Sequence, residues 1–534
     1  MTASGISILA ALLYLSFLSG HFIGDGIRWL PAITQSHHPP IGDVRHLLSP
    51  TLGWAWYHLA LLLGYRGDPI PLIQSMNALL AGVGIGLYYR FLERVTRDRT
   101  ASAWGCLLLL FSYSYSTHAT DMTEIMPSFP VLIASLLLSL RSARLKSHLL
   151  AAGSALLFSV AGVIYVTSLL CGLVPIFLLV KGADPDQPPD LRLARTFFLS
   201  LLLFVPILFI FSYLLQYPNP LEAARAILAF RERGLANPDF NWIHLGGTFF
   251  GWAGAFLGLR DFNGGLHLLL NPMTGWARWN LGVLLFMTAM MAALGLPLFS
   301  ALKGQPHSRR PIGDLWVPLA FLWLAPEILF LGYVGPSNNK IWVHPLPGFI
   351  CLISCVLAFL LRFSRQKTWV RIWACALLGV VAGVNGALYW IPRRFTPSPY
   401  WEDAQRVSGT MNKEGLLVSE SYDSVTNYAG AIFRKDVFSF FIRGAELGFD
   451  NAALEDSLRQ TVARHLESGG HAYFLSLFDP PPGGWGLGLG GKRGLDYTML
   501  DAYRRRSVRI FLIPSLTKEY RRPVWLWEYK GESR

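Results

Sequence analysis

The segment "SPTLGWAWYHLALLLGYRGD", Ser49 to Asp68, settles how the rest of the chain is threaded. Hydropathy alone accepts it as a membrane span, so the distribution of basic residues has to arbitrate. If it crosses, the cluster Arg90, Arg94, Arg97 and Arg99 falls outside. If it lies on the outer surface as an amphipathic helix, that cluster falls inside, and so do "RSARLK", "KGQPHSRR" and "RFSRQK" further on. We read it as a surface helix. The N-terminus is then cytoplasmic. The loop 24–69, the turn "HATDMTE", the loop 217–280, the turn "GPSNNK" and the polar C-terminal tail share the non-cytoplasmic face.

The composition requires a membrane. Of 534 residues, 52% are hydrophobic and 15% charged, with a mean hydropathy of +0.38, too apolar for a soluble chain of this length. Apolar runs recur at 6–22, 70–92, 100–118, 125–140, 148–164, 165–180, 196–215, 281–302, 315–334, 341–361 and 370–391. These make a polytopic bundle of about eleven transmembrane helices. The first run lacks a basic n-region and a small-residue cleavage site and reads as a retained helix. The apolar stretch 149–180 is too long for one span and short for two, so it reads as two short helices with a buried turn near Gly162. The Gly- and aromatic-rich loop 217–280 reads as lying along the outer interface.

Beyond residue 391 the pattern changes. "EDAQRVSGTM", "LLVSES", "SVTNYAGAIF", "DVFSFFI", "LEDSLRQTVARHLESG", "HAYFLSL", "RIFLIP" and "VWLWEY" mix helical and strand patterning, which predicts a small α/β extracytoplasmic domain over 392–534 behind a membrane domain over 1–391. Cys106, Cys171, Cys351, Cys355 and Cys375 all sit in apolar runs, so no disulfide framework is indicated. The formal charge of +13 gathers at helix ends, a topological signature rather than a nucleic-acid footprint. "GLGLGGK", 486–492, has the outline of a P-loop, but Arg493 stands where magnesium needs a Ser or Thr, and "PPPGG" precedes it where a strand should end.

Polar chemistry concentrates on the outer face. Asp25, in "GDG" just after the first span, can be wet on one side and desolvated on the other, as suits a general base; a simple turn is the alternative. His37 and His38 precede two prolines that force extended backbone. In "HATDMTEIMPSF", Asp121 and Glu124 are spaced i, i+3 where a span is expected to open, with His118 just before; helix capping is the alternative. "GPSNNKIWVHPLPG" sets Lys340 and His344 at a membrane boundary, where a lysine either snorkels or meets a lipid phosphate. Histidines 21, 37, 38, 46, 58 and 118 lie on or near this face, but no pair has zincin spacing, and no cofactor is expected.

This order of features resembles the GT-C membrane glycosyltransferases, which include protein mannosyltransferases and aminoarabinose transferases. The resemblance rests on "GDG" with Asp25, "HHPP" at 37–40, "SMNALLAGVGIGLYYRFLERV" from Ser75, and "DMTEIMPSF" with Glu124. It covers roughly the first 180 residues at motif level and the rest, including the polar tail, by layout. "DMTE" departs from the family's usual Glu-x-Tyr, which leaves the division of roles between Asp121 and Glu124 open.

The resemblance implies transfer of a sugar from a polyprenyl-phosphate carrier to an acceptor on the non-cytoplasmic face, with inversion. Asp25 would be the base. Lys340, with Arg28 or His344, would balance charge on the leaving phosphate. Asp121 or Glu124 would hold the acceptor, or a divalent metal if one is used. The donor lipid, an unidentified acceptor and membrane lipids are the implied partners; nucleic acid is not. The absence of an N-x-S/T sequon and of a retention signal favours a bacterial inner membrane with a periplasmic tail. The competing readings are a transporter or flippase of a lipid-linked or small solute, and a non-catalytic envelope scaffold.

Overall fold

A computed structural model describes residues 2–20, 26–40 except 28 and 37, 46–181, 190–216, 251–258, 285–295, 317–334, 341–395 except 365, 398–440 except 413 and 420–423, 450–478 except 476, 498–530 except 521 and 522, and positions 219, 221, 282, 298 and 443. These residues divide between two compact units, Met1–Ser19 with Ser36–Arg394, and Gly20–Gln35 with Phe395–Arg534.

The first unit is helical. Pro69–Thr96, Ser128–Leu145, Leu191–Gln216, Pro345–Phe363 and a helix beginning at Lys367 are long and apolar enough to cross a membrane. Shorter apolar helices accompany them, among them Ala3–Ser16, Arg99–Phe111 and His148–Ile164. Ser49–Leu62 is a helix of 14 residues, about 21 Å long against about 30 Å of hydrocarbon. It closes through Gly64 at φ 89°, and Asp68 then caps the next helix by accepting from the Ile70 N–H, with Pro69 in the first turn.

Pro69–Thr96 is the axis of this unit, and small residues let its neighbour approach. A Cβ on Gly82 would lie 2.8 Å from the Ser7 carbonyl oxygen and 2.7 Å from Ala11 Cβ, and one on Gly86 would lie 2.8 Å from Ser7 Cβ. Gly82 and Gly86 form a G-x-x-x-G face against Ser7 and Ala11 of Ala3–Ser16. Buried hydroxyls join Ser128–Leu145 to His148–Ile164: Ser139 and Ser154 lie 2.7 Å apart, and Ser135 donates to the Ser154 carbonyl.

Three expected spans differ in detail. The run 100–118 breaks at Ser112, whose backbone is extended, giving Arg99–Phe111 and Tyr113–Thr120. The stretch 149–180 breaks at Tyr165, between the two expected helices, and continues as a 3-10 turn, Val166–Gly172, into Leu173–Lys181. Gly162 lies within the first of these helices, and Leu169 packs against it, 2.3 Å from where a Cβ would stand. Ser128–Leu145 begins later than expected, after Pro127, so Asp121 and Glu124 lie in the turn before it and not on its first face.

The second unit carries a small sheet in its C-terminal part, and it also includes Gly20–Gln35. Strands β1 (Leu416–Ser419), β2 (Asp436–Ser439), β3 (Ala472–Leu475), β4 (Ser507–Leu512) and β5 (Trp525–Tyr529) form a sheet ordered β2-β1-β3-β5-β4. β1 pairs parallel with β2 and β3, while β5 runs antiparallel to β3 and β4. The helices Ser424–Ala431 and Asn451–Glu467 make the crossovers that parallel pairing requires. Leu454, Leu458 and Val462, spaced four apart, face Val418 and Phe474 in the core. The 486–492 motif and most of the loop 217–280 lie outside the described residues.

Candidate functional site

The turn 121–127 is held from several sides. Asn77, mid-face on Pro69–Thr96, donates from Nδ2 to the Asp121 carbonyl at 2.9 Å and to the Thr123 carbonyl at 2.8 Å. One turn earlier on the same face, Gln74 donates to the Ser19 carbonyl at 2.8 Å. Ser49, at the start of its helix, donates to the Glu124 carbonyl at 2.6 Å. Thr123 donates to the carbonyl of His118, which is itself buried. The motif therefore closes without helical hydrogen bonds of its own because side chains from two helices satisfy its carbonyls.

Both carboxylates of the turn are buried and both have basic partners. Asp121, fully buried, accepts from the Met122 N–H at 2.7 Å and meets Arg393 Nη2 at 3.2 Å. Glu124 Oε1 lies 3.4 Å from His46 Nε2, with 3% and 8% of the two side chains exposed, so little solvent screens the contact. His46 stacks on Tyr165 at 5.0 Å between centroids, and Tyr165 stacks on His344 at 5.4 Å. A continuous row thus runs from Glu124 through His46 and Tyr165 to His344.

His344 is fully buried among hydroxyls. Its Nε2 is 3.0 Å from Ser128 Oγ and 3.1 Å from Ser168 Oγ, and its Nδ1 is 3.3 Å from Thr167 Oγ1. Ser128 has one hydroxyl proton, and the Ile125 carbonyl takes it at 2.7 Å, so the ring donates from Nε2 to Ser128. Trp323 donates to the His344 carbonyl at 2.9 Å. These contacts hold the ring fixed at the start of Pro345–Phe363.

Of the other expected residues, His38 is exposed and its backbone is tied to Ser36 Oγ. Asp25, Arg28, His37 and Lys340 lie outside the described residues. Among the described residues no group of three His, Cys, Asp or Glu side chains is disposed to hold a metal.

Three partners escaped the sequence reading. Arg393 belongs to "PRR" at the end of the last expected span, and a basic pair at a position that the charge reading assigns to the outer face was its signal. His46 was one histidine among several, with no local cue to Glu124. Glu327, inside Val317–Val334, is fully buried, and Cys171 donates to its Oε1 at 3.4 Å. An acid inside an apolar run is itself a signal.

No family model matches this sequence, and no curated protein does. Among solved structures, the chain is similar to the crystal structure of ArnT from Cupriavidus metallidurans bound to undecaprenyl phosphate, at 14% identity and a TM-score of 0.45, covering 98% of this chain and 97% of that one. The apo state of the same ArnT gives 14% identity and 0.44 over the same shares. Neither likeness is strong enough to carry an argument.

Proposed function

We propose that this chain is an integral membrane glycosyltransferase of the GT-C type, moving a sugar from a polyprenyl-phosphate donor to an acceptor on the non-cytoplasmic face. The observation that carries the reading is the buried "DMTE" turn: two carboxylates three residues apart, one against Arg393 and the other against His46, in the motif on which the resemblance rests. Burying two acids is costly unless they are paired, and a purely structural turn has no need of them.

In the proposed reaction an acceptor hydroxyl or amine forms a bond to the anomeric carbon while the bond from that carbon to the phosphate oxygen breaks. The electron pair leaves on the phosphate, and the acceptor proton passes to the carboxylate of Asp25. Direct displacement inverts the anomeric centre, and no covalent intermediate is involved. Lys340, with Arg28 or His344 in support, is proposed to balance the leaving phosphate. Glu124, oriented by His46, and Asp121, oriented by Arg393, are proposed to hold the acceptor. The assignment of the bundle to a bacterial inner membrane, with about eleven spans and a periplasmic tail, belongs to the same proposal.

The test is turnover of radiolabelled polyprenyl-phosphate sugars by the purified protein in lipid, with a cell-envelope extract as acceptor and Asp25→Asn beside the wild type. Loss of turnover of one donor in a folded Asp25→Asn variant supports the assignment and names the sugar. Turnover unchanged in Asp25→Asn removes Asp25 as the base.

A transporter remains the second reading, and Glu327 is the observation in its favour, since buried acids within spans mark solute or proton paths. Proton-coupled solute uptake into proteoliposomes that Glu327→Gln abolishes, with no donor turnover, would establish it.

A further inference from the structure

At the other end of the Pro69–Thr96 helix, arginines converge on a hollow that the proposed reaction does not use. Thr2, Ala3, Tyr89, Arg90, Arg94 and Arg99 line a cavity of about 320 Å³, with Glu93 its one acidic lining residue among those described. A second cavity of about 240 Å³ shares Tyr89 and Arg99 and continues along Ala103, Trp104 and Leu107. Arg94 is 17 residues beyond Asn77, which places this hollow about 25 Å along the helix from the "DMTE" turn, nearly the thickness of the hydrocarbon.

Helix-end arginines alone need only topology to explain them. Topology does not require that three of them surround one concavity, nor that an aromatic and aliphatic groove open from it. Glu93 is engaged by Arg99 at 2.8 Å, and Arg94 reaches the Leu137 carbonyl at 3.4 Å. Arg90, Arg141 and Arg144 lie close enough to Arg94 to repel its charge, against the attraction of Glu93. The start of the 14-residue Ala3–Ser16 helix adds its positive end at Thr2 and Ala3. Arginines that outnumber the single acid lining the hollow, beside an apolar groove, match an anionic head joined to a hydrocarbon tail.

We propose that this end of the bundle is a binding site for an anionic phospholipid, distinct from the donor lipid. The phosphodiester lies between Arg90, Arg94 and the Ala3–Ser16 helix start, taking guanidinium hydrogen bonds, and one acyl chain follows Tyr89, Ala103, Trp104 and Leu107. The site would anchor the first helix against Pro69–Thr96 at its open end.

The test uses the full chain in nanodiscs of phosphatidylglycerol and phosphatidylcholine in equal amounts, released into mild detergent, with retained lipid counted by native mass spectrometry. Three proteins are compared: wild type, Arg90→Gln/Arg94→Gln, and Arg192→Gln/Arg195→Gln, a pair of exposed arginines outside the cavity. Wild type is expected to retain phosphatidylglycerol over phosphatidylcholine. The cavity variant should lose that preference by about tenfold or more, and the control should keep it. The proposal is overturned if the wild type shows no preference, if the cavity variant keeps it, or if the control loses it equally, the last meaning diffuse charge. A thermal melt of each variant before release confirms that loss of lipid is not loss of fold.

Discussion

Arg393 Nη2 stands 3.2 Å from Asp121 Oδ2 across 272 positions of sequence, and joins the last helix of the membrane unit to the turn between two of its earlier ones. Asp121 is fully buried and the Arg393 side chain 18% exposed. Removing the cation strands a carboxylate away from water. Arg393→Gln is expected to cost about 2–4 kcal/mol. Thermal unfolding in detergent should show Asp121→Asn/Arg393→Gln less damaged than the sum of the single variants, since the double variant leaves no unpaired charge. Additive losses would mean the contact is not a coupled pair.

His46 has two separable jobs, stacking on Tyr165 and facing Glu124. His46→Phe keeps the first and removes the second. It is expected to fold but to melt lower than wild type, because the buried Glu124 loses its His46 contact, while turnover of the polyprenyl-phosphate donor falls about 100-fold, the scale of a lost orienting contact. His46→Ala should lose more stability still, since the stacking on Tyr165 goes too. Equal activity in His46→Phe and wild type would remove Glu124 and His46 from the site.

The Gly82 contact predicts a packing penalty. A methyl there meets the Ser7 carbonyl and Ala11, which are parts of a helix and cannot swing aside. Gly82→Ala should destabilise by about 1–3 kcal/mol. Gly379, on the Lys367–Asn385 helix, has open space around its Cβ position, so Gly379→Ala should be neutral or slightly stabilising by about 0.5–1 kcal/mol. Parallel melts of the two variants check the pair.

In the tail domain, burial acts to raise the pKa of Glu528, but hydrogen bonds from Lys530 and His471 outweigh it and hold the carboxyl below its ordinary value of 4.5. Because the folded value is depressed, the stabilisation is present above the unfolded pKa and is lost as pH falls through the folded one. Glu528→Gln should therefore lower the unfolding midpoint of the intact protein's tail at pH 7, and the gap from wild type should close below about pH 4. A gap independent of pH would point to packing rather than charge.

Local pattern carried far in this chain. Apolar run length pointed to the helical membrane unit, and alternation after residue 391 pointed to the sheet of the tail, with strands at "LLVS", "DVFS", "AYFL", "SVRIFL" and "WLWEY". These properties are legible because hydropathy and backbone propensity act over a few residues. Asp121, Glu124 and Asn77 could be singled out for the same reason, as polar groups in a place that penalises them.

The pairings were not legible. Nothing local to Glu124 indicates His46, nothing local to Asp121 indicates Arg393, and the stack of His46, Tyr165 and His344 draws on three separate parts of the chain. Nor could pattern show that Pro127 delays the helix and leaves the acidic pair in a turn. The single sequence states which polar groups enter an apolar place. Which partners meet them there depends on contacts closed over long loops, where burial penalises every unpaired charge and only the assembled packing brings a counter-group within reach.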